Sequence, residues 1–399
     1  MAEAPWLSIV GLGEDGPDGL PPASRAVLEA AEIVMGPPRH LGLLPDLKAE
    51  RIEWPVPFAD GLPILQGLRG RRVAVLASGD PFWFGAGSVI ARDFAPGEWR
   101  AFPAPSVFSL AAARLGWPLE RTSCLGLHAA PFAQLRPHLA PGAQALVLLR
   151  DGSAVRDLAA WLTGLDFGES TLWVMEALGG PRQRVRGTTA AEYDLTDVHH
   201  PVCVGLKIGG AGEVIPAASG WPDGLFDHDG QITKRPLRAL TLSALAPRPV
   251  EHLWDIGAGS GSISIEWLAC HPSMHATAVE ADPARADRIR TNAAALGADR
   301  LRVVEGRAPE VLDGLAPPQA VFIGGGLSEA LLSDLWARLG SGTRVVANAV
   351  TLESEALLVA WQAAQGGNLL RVELAEAQPL GTRRGWRTAY PVMQWSVVR

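Results

Sequence analysis

Three glycines spaced as Gly257-x-Gly259-x-Gly261 follow an apolar run ending Leu253-Trp-Asp255-Ile256, and roughly twenty residues later a second acid, Glu280, closes another apolar run. Without Cβ atoms such a turn lets the backbone approach a ligand, and the helix that follows presents unpaired N–H groups at its start. The dinucleotide fingerprint needs a third glycine where this chain has Ser262, and Asp255 beside the first glycine would repel a pyrophosphate. The same acid suits the amino and sulfonium groups of S-adenosylmethionine, while an acid at the position of Glu280 can take ribose hydroxyls. Gly257, Ala258, Gly259, Ser260 and Gly261, with Glu280, are therefore expected to hold S-adenosylmethionine. A plain tight turn or a dinucleotide site remains open from these residues alone.

The elements that must position this turn are a buried strand before it and the helix that it opens. Around them the second half alternates: helix 283–296, strand 301–305, a helix from Ala308-Pro309 to Leu312, strand 320–323, Gly324-Gly-Gly326, helix 328–339 and strand 343–347. The last segments, 369–377 and 391–398, read as an antiparallel pair, which gives a doubly wound, Rossmann-like α/β sheet. Basic residues gather at Lys234, Arg235, Arg238 and Arg248 and again in Arg383-Arg384-Gly-Trp386-Arg387. Such residues would suit a polycarboxylate or form a solvated face, and the two readings stay level.

The first half repeats the strand, turn, helix pattern. A strand at 6–10 runs into Gly11-Leu-Gly13-Glu-Asp15-Gly16, and a strand at 71–78 ends in Gly79-Asp80-Pro81-Phe82-Trp83-Phe84-Gly85. A strand at 99–102 leads through Pro105-Ser106 into a helix over 110–116. Ligands in open α/β sheets bind at this carboxyl edge. A second alternating block, with strands at 145–149, 171–176 and 201–208 and a helix over 153–163, predicts a second small lobe. Glycine, proline and serine crowd together at 209–224, so the expected domains are 1–210 (lobes about 1–116 and 117–210), a linker at 211–224, and 225–399.

A net charge of −7 without a lysine or arginine block argues against a nucleic-acid partner, and no apolar run reaches the roughly 20 residues of a membrane span. The N-terminus, Met1-Ala-Glu-Ala-Pro-Trp6, lacks the basic start of a secretion signal, and Cys124, Cys203 and Cys270 have no metal-ligand or disulfide spacing. A cytoplasmic protein with its cysteines in the core is expected, with no metal.

Val10-Gly-Leu-Gly-Glu-Asp-Gly16, Gly79-Asp80-Pro81 with Phe84, and Pro105-Ser106 before Arg114-Leu-Gly116 resemble the tetrapyrrole methylase family over about the first 210 residues. The resemblance implies a two-lobed fold with S-adenosylmethionine against Gly79, Asp80, Pro81 and Ser106, and Gly11 and Gly13 facing the macrocycle. Gly230-Gln-Ile-Thr233-Lys234, the Asp255 to Trp267 stretch and Phe322-Ile-Gly-Gly-Gly326 resemble the decarboxylating precorrin methyltransferase domain of cobalamin synthesis. The fusion is thus similar to the decarboxylating precorrin-6Y C(5,15)-methyltransferase family. That resemblance implies cofactor contacts from Thr233, Gly257 to Gly261, Glu280 and Ala308, and substrate contacts from Lys234 and Arg238. It also implies one S-adenosylmethionine per domain, methylation of ring carbon 5 by the first half, and methylation of carbon 15 with decarboxylation of the carbon-12 acetate by the second. A homo-oligomer formed through the C-terminal domain is likewise implied. Where the family pattern often carries Lys-Glu-Val-Arg, this chain has Lys234-Arg-Pro-Leu-Arg238. No catalytic acid or base is evident. A non-catalytic tetrapyrrole-binding first half, or a dinucleotide-dependent oxidoreductase, remains an alternative.

Overall fold

The computed structural model describes residues 5–399. Residues 1–4, which carry the start of the expected first domain and most of the non-basic N-terminus, lie outside the described residues. The chain divides into two compact units, Met1–Ala130 with His138–Glu213, and Pro131–Pro137 with Val214–Arg399.

In the first unit β1 (Leu7–Leu12), β2 (Ile33–Gly36), β3 (Glu50–Glu53), β4 (Val73–Ser78) and β5 (Trp99–Phe102) form a parallel sheet in the order β3-β2-β4-β1-β5. Alternate residues feed opposite faces: Leu7, Ile9, Ile33, Met35, Val73 and Val75 enter one apolar cluster, while Val10, Leu12, Val34, Ala74 and Leu76 enter another. Coverage on both faces explains why β1, β2 and β4 read as apolar runs, whereas the edge strand β3 is exposed. The second lobe of this unit holds β6 (Ser123–Gly126), β7 (Gln144–Leu149), β8 (Thr171–Glu176), β9 (Arg184–Thr189) and β10 (Val202–Lys207), ordered β6-β7-β10-β8-β9. Only β6 and β7 are parallel there.

The second unit is built on β11 (His252–Ile256), β12 (His275–Glu280), β13 (Arg302–Glu305), β14 (Ala320–Ile323), β15 (Arg344–Ala349), β16 (Asn368–Val372) and β19 (Val392–Val398). Their order is β13-β12-β11-β14-β15-β19-β16, with β19 antiparallel to both neighbours. β11 lies between β12 and β14, so the strand order reverses at its carboxyl end, where open α/β sheets bind ligands. Leu253 packs on one face with Phe322 and Val346, and Trp254 and Ile256 pack on the other with Val321 and Ile323.

Several elements differ from the sequence reading. Residues 308–312 form turns rather than a helix, while a helix over Leu352–Gln365 and a hairpin of β17 (Ala375–Leu380) and β18 (Arg383–Thr388) were not anticipated. The 211–224 stretch buries Ile215 and Trp221 in the core of the second unit. Cys203 is buried as expected, but Cys270 is exposed. Among the described residues no helix is long and apolar enough to cross a membrane.

Candidate functional site

β11 ends at Ile256, and the chain turns through Gly257 to Gly261 into the helix Ser262–Ala269. The three glycines have φ of +67°, +60° and +75°, in the left-handed region that favours glycine. Their reasons differ, which corrects the expectation that all three make room for a ligand. A Cβ at Gly257 would lie 2.6 Å from the Gly325 backbone and one at Gly261 2.8 Å from the Ile289 side chain, so these two are required by the protein's own packing. A Cβ at Gly259 would meet only the Gln231 carbonyl oxygen, at 3.2 Å, and it is here that the backbone is left open.

Glu280, at the end of β12, is 6% exposed. It accepts from Gly259 N–H at 2.8 Å and Asp282 N–H at 3.1 Å, so it clamps the turn in place. Each carboxylate oxygen keeps acceptor capacity for a further donor such as a ribose hydroxyl. Asp255 is buried, and its Oδ2 accepts from the backbone N–H and hydroxyl of Ser264 at 3.2 and 2.7 Å. Its Oδ1 and the buried Ser260 hydroxyl have no hydrogen-bond partner among the described residues. Burial, reinforced by the charge of Glu280 and opposed by the Ser264 bonds, pushes the Asp255 carboxyl up to about 7. Two orphaned polar atoms around an open glycine fit a polar, cationic ligand.

Asn292, which the sequence reading missed, ties the preceding segment to this turn. Its amide donates to the carbonyls of Asp227 and Ser260, both at 2.9 Å, and accepts from Asp227 N–H at 2.8 Å. Its spacing with Ala286, Ile289 and Ala293 on one buried helix face was the available signal. Gln231 is thereby set over Gly259, with Thr233 two residues on and half-buried. Ala308 is also half-buried and packs against the core, two residues after Gly306, whose N–H donates to the Glu280 carbonyl at 2.9 Å.

Lys234 is exposed, with Nζ 4.0 Å from Asp223 Oδ2. Arg238 departs from expectation: it is 0% exposed and cannot serve as a substrate contact in this arrangement. It donates to Glu266 at 2.5 Å, to Asp223 at 2.9 Å and to the carbonyls of Thr233 and Trp221, with its guanidinium 4.9 Å from the centre of the Phe226 ring. Glu266 also accepts from Gly220 and Trp221 N–H at 2.6 and 3.0 Å. An Arg buried in this way organises the fold rather than a ligand.

In the first unit the loops after β1, β4 and β5 meet at the carboxyl edge, because those strands are neighbours. A Cβ at Gly11 would lie 2.0 Å from the Gly79 carbonyl oxygen and 2.6 Å from Ala104 N. Gly79 donates to Leu12 at 3.0 Å and accepts from Ala104 at 3.1 Å. Gly11, Gly79 and Ser106 are thus brought together. A Cβ at Gly13 would strike the Asp15 carboxylate, so that glycine serves its own turn. Half-buried Asp80 accepts from Phe82 N–H at 2.9 Å, and Pro81 is buried. The Ser106 hydroxyl accepts from Ser109 N–H at 3.1 Å as the N-cap of the helix Val107–Leu115, a structural task beside any cofactor contact.

Residues 7–194 match the family described as tetrapyrrole (corrin/porphyrin) methylases, and residues 224–399 match the precorrin methyltransferase domain. A precorrin-6Y C(5,15)-methyltransferase [decarboxylating] of Sinorhizobium sp. is 47% identical over 98% of this chain and 96% of its own. The protein of the same name from Mycobacterium tuberculosis H37Rv is 42% identical over 98% of this chain and all of its own. The solved C-terminal domain of precorrin-6Y C5,15-methyltransferase from Rhodobacter capsulatus is 52% identical, covering 46% of this chain and all of that one, with a TM-score of 0.45. Because the likeness runs end to end through both glycine-rich edges, the chain belongs to the family of decarboxylating precorrin-6Y C(5,15)-methyltransferases.

Proposed function

We propose that the chain is a bifunctional S-adenosylmethionine-dependent methyltransferase of cobalamin (corrin) biosynthesis. It methylates precorrin-6B at ring carbons 5 and 15 and decarboxylates the carbon-12 acetate, giving precorrin-8. The observation that carries the cofactor reading is the open Gly259 backbone, held by Glu280 and following Asp255 with its orphaned Oδ1 in the same strand-turn-helix, at the point where the strand order reverses. When bound, S-adenosylmethionine supplies an electrophilic methyl group to an electron-rich ring carbon. Glu280 and the Gly259 turn would orient the ribosyl part, Asp255 would face the cationic part, and Thr233 and Ala308 would flank them. Decarboxylation breaks the bond from the acetate methylene to the carboxylate, sends its electron pair into the conjugated ring, and ends with a proton on the carbon left behind. The protein's part is placement, which converts these steps into reactions between pre-aligned partners.

In the same reading a second S-adenosylmethionine sits in the first unit against Gly79, Asp80, Pro81 and Ser106, with Gly11 and Gly13 toward the macrocycle and Lys234 toward substrate of the second unit. The setting is cytoplasmic, and a homo-oligomer forms through the second unit. Exposed Leu380, Trp386 and Tyr390 on and beside the β17–β18 hairpin support that assembly, since a two-stranded hairpin is marginal unless covered. Calorimetry tests the cofactor count: two S-adenosylmethionine molecules per chain are expected, with Asp80→Ala weakening one. A stoichiometry of one, unaffected by Asp80→Ala, would overturn the two-site reading and leave the first half a carrier.

A further inference from the structure

Glu14, in the turn after β1, is only 8% exposed, yet its carboxylate accepts from two arginines of different lobes of the first unit. Arg39 follows β2, and Arg182 lies on the turn between β8 and β9, with Nη2 3.1 Å from Glu14 Oε2. The two turns are pressed together: a Cβ at Gly180 would lie 2.5 Å from the Glu14 carbonyl oxygen. Arg39 is also 3.0 Å from the Ser78 hydroxyl and 2.6 Å from His40 Nε2, and His40 itself lies 3.0 Å from Ser78. Burial, then the charge of Arg39, holds buried His40 down at about 3, so it is neutral and adds no charge. Two guanidinium charges therefore face one carboxylate.

The surplus falls on Arg182, which is 63% exposed and whose ion pairs among the described residues are to Glu14 alone. It borders a cavity of about 340 Å³ shared with Gln183, His199, His200 and the Glu176–Arg184 pair. The acid in that wall is already committed, since Glu176 accepts from Arg184 at 2.7 and 2.8 Å, from Arg186 at 3.0 Å and from His199 N–H at 2.8 Å. An open guanidinium held by a buried carboxylate, beside a cavity and against the Gly11–Gly16 turn, has the geometry of an anion receptor.

We propose that Arg182, steadied by Glu14 and backed by Arg39, binds a peripheral carboxylate of the tetrapyrrole and so positions the macrocycle for transfer to carbon 5. This rests on the functional reading above. Because Arg182 is exposed, its variants should fold. In the full-length chain Arg182→Ala should raise KM for carbon-5 methylation about 10- to 100-fold, the worth of one charge-assisted hydrogen bond, with kcat little changed. Affinity for S-adenosylmethionine, carbon-15 methylation and carbon dioxide release should be unaltered, and Arg182→Lys should recover part of the loss. Esterifying the substrate's carboxylates should lower the wild type to the level of the variant. An unchanged KM, a fall confined to kcat, or a parallel loss of cofactor affinity overturns the assignment. A wild type that makes no carbon-5 product sinks the functional reading instead. Binding of uroporphyrin to wild type and Arg182→Ala, followed by tryptophan quenching, then decides the site on its own: equal affinities would reject it.

Discussion

Replacing Asp255 with asparagine should make the stability of the second unit less sensitive to pH, and the size of the change follows from the surroundings of the carboxyl group. Asp255 is 1% exposed on the central strand, and burial, with a contribution from the Glu280 charge, raises it from 3.8 to about 7 against the opposing Ser264 bonds. A folded-state value above the unfolded one means that the native protein holds an extra proton between those limits. Its contribution is therefore fully present below about pH 4 and is lost as pH rises through about 7. At about 1.4 kcal/mol per unit the whole loss is ~4 kcal/mol, a large share of the usual stability of a domain. Asparagine keeps an acceptor for Ser264 and does not titrate. Amide exchange in β11 and β12, compared between wild type and Asp255→Asn at each pH, should show the variant gaining about 100-fold in relative protection from pH 5 to pH 8. Equal ratios at the two pH values would refute the burial argument. A cation against Oδ1 favours the ionised form, so the ratio of wild-type to variant affinity for S-adenosylmethionine should rise from pH 6 to pH 8. A ratio that falls would remove Asp255 from the cofactor site.

Two further outcomes separate packing from binding. Arg238→Met should cost about 3–5 kcal/mol in urea unfolding, because it leaves Glu266 buried without its cation, whereas exposed Lys234→Ala should change stability by less than about 0.5 kcal/mol. A stable Arg238→Met protein with a raised substrate KM would restore a binding role. Gly259→Val places a branched side chain at φ +60°, where the left-handed penalty of about 1–2 kcal/mol adds to filling of the space proposed for the ligand. Carbon-15 methylation and carbon dioxide release should fall at least about 10-fold while carbon-5 methylation persists, and loss of both in a folded variant would contradict separate sites.

The strands β2, β4, β11, β12 and β14 were legible because each is a short apolar run ended by glycine or an acid, the pattern of a strand covered on both faces, whereas parallel β3, Glu50-Arg-Ile-Glu53, is exposed and was not read. What escaped was less regular. β9 reads Arg184-Val-Arg-Gly-Thr-Thr189, an edge strand whose arginines are turned to Glu176 and Asp197, and no local apolar period marks it. The β17–β18 hairpin lies outside the main sheets, with Arg383, Arg384 and Arg387 exposed, so its strands lack a buried face to imprint alternation on the sequence. The turn at Ala308 has the composition of a helix start but closes within five residues. Arg238 was misplaced because Lys234 and Arg235 beside it suggest a basic surface. Its helical spacing to Thr241, Leu242 and Leu245, all buried, carried the contrary signal.

The position of Arg238 also explains how the glycine-turn edge is held. A buried ion pair is seldom a net source of stability, because both charges lose their hydration. Here the pair adds directional contacts to three segments that already share one apolar core through Trp221, Leu242 and Trp267. Glu266 is on the helix that the glycine turn opens, Arg238 is on the helix Arg235–Leu245, and the backbone of Gly220 and Trp221 closes the set. Arg238 also takes the carbonyl of Thr233, while Asn292 anchors Asp227 at the other end of the same segment. The stretch between them, which sets Gln231 over Gly259, is therefore fixed at both ends by buried side chains. A cradle held in this way need not reorganise when a ligand arrives, and for a reaction governed by alignment that rigidity is where a buried charge pair contributes to function.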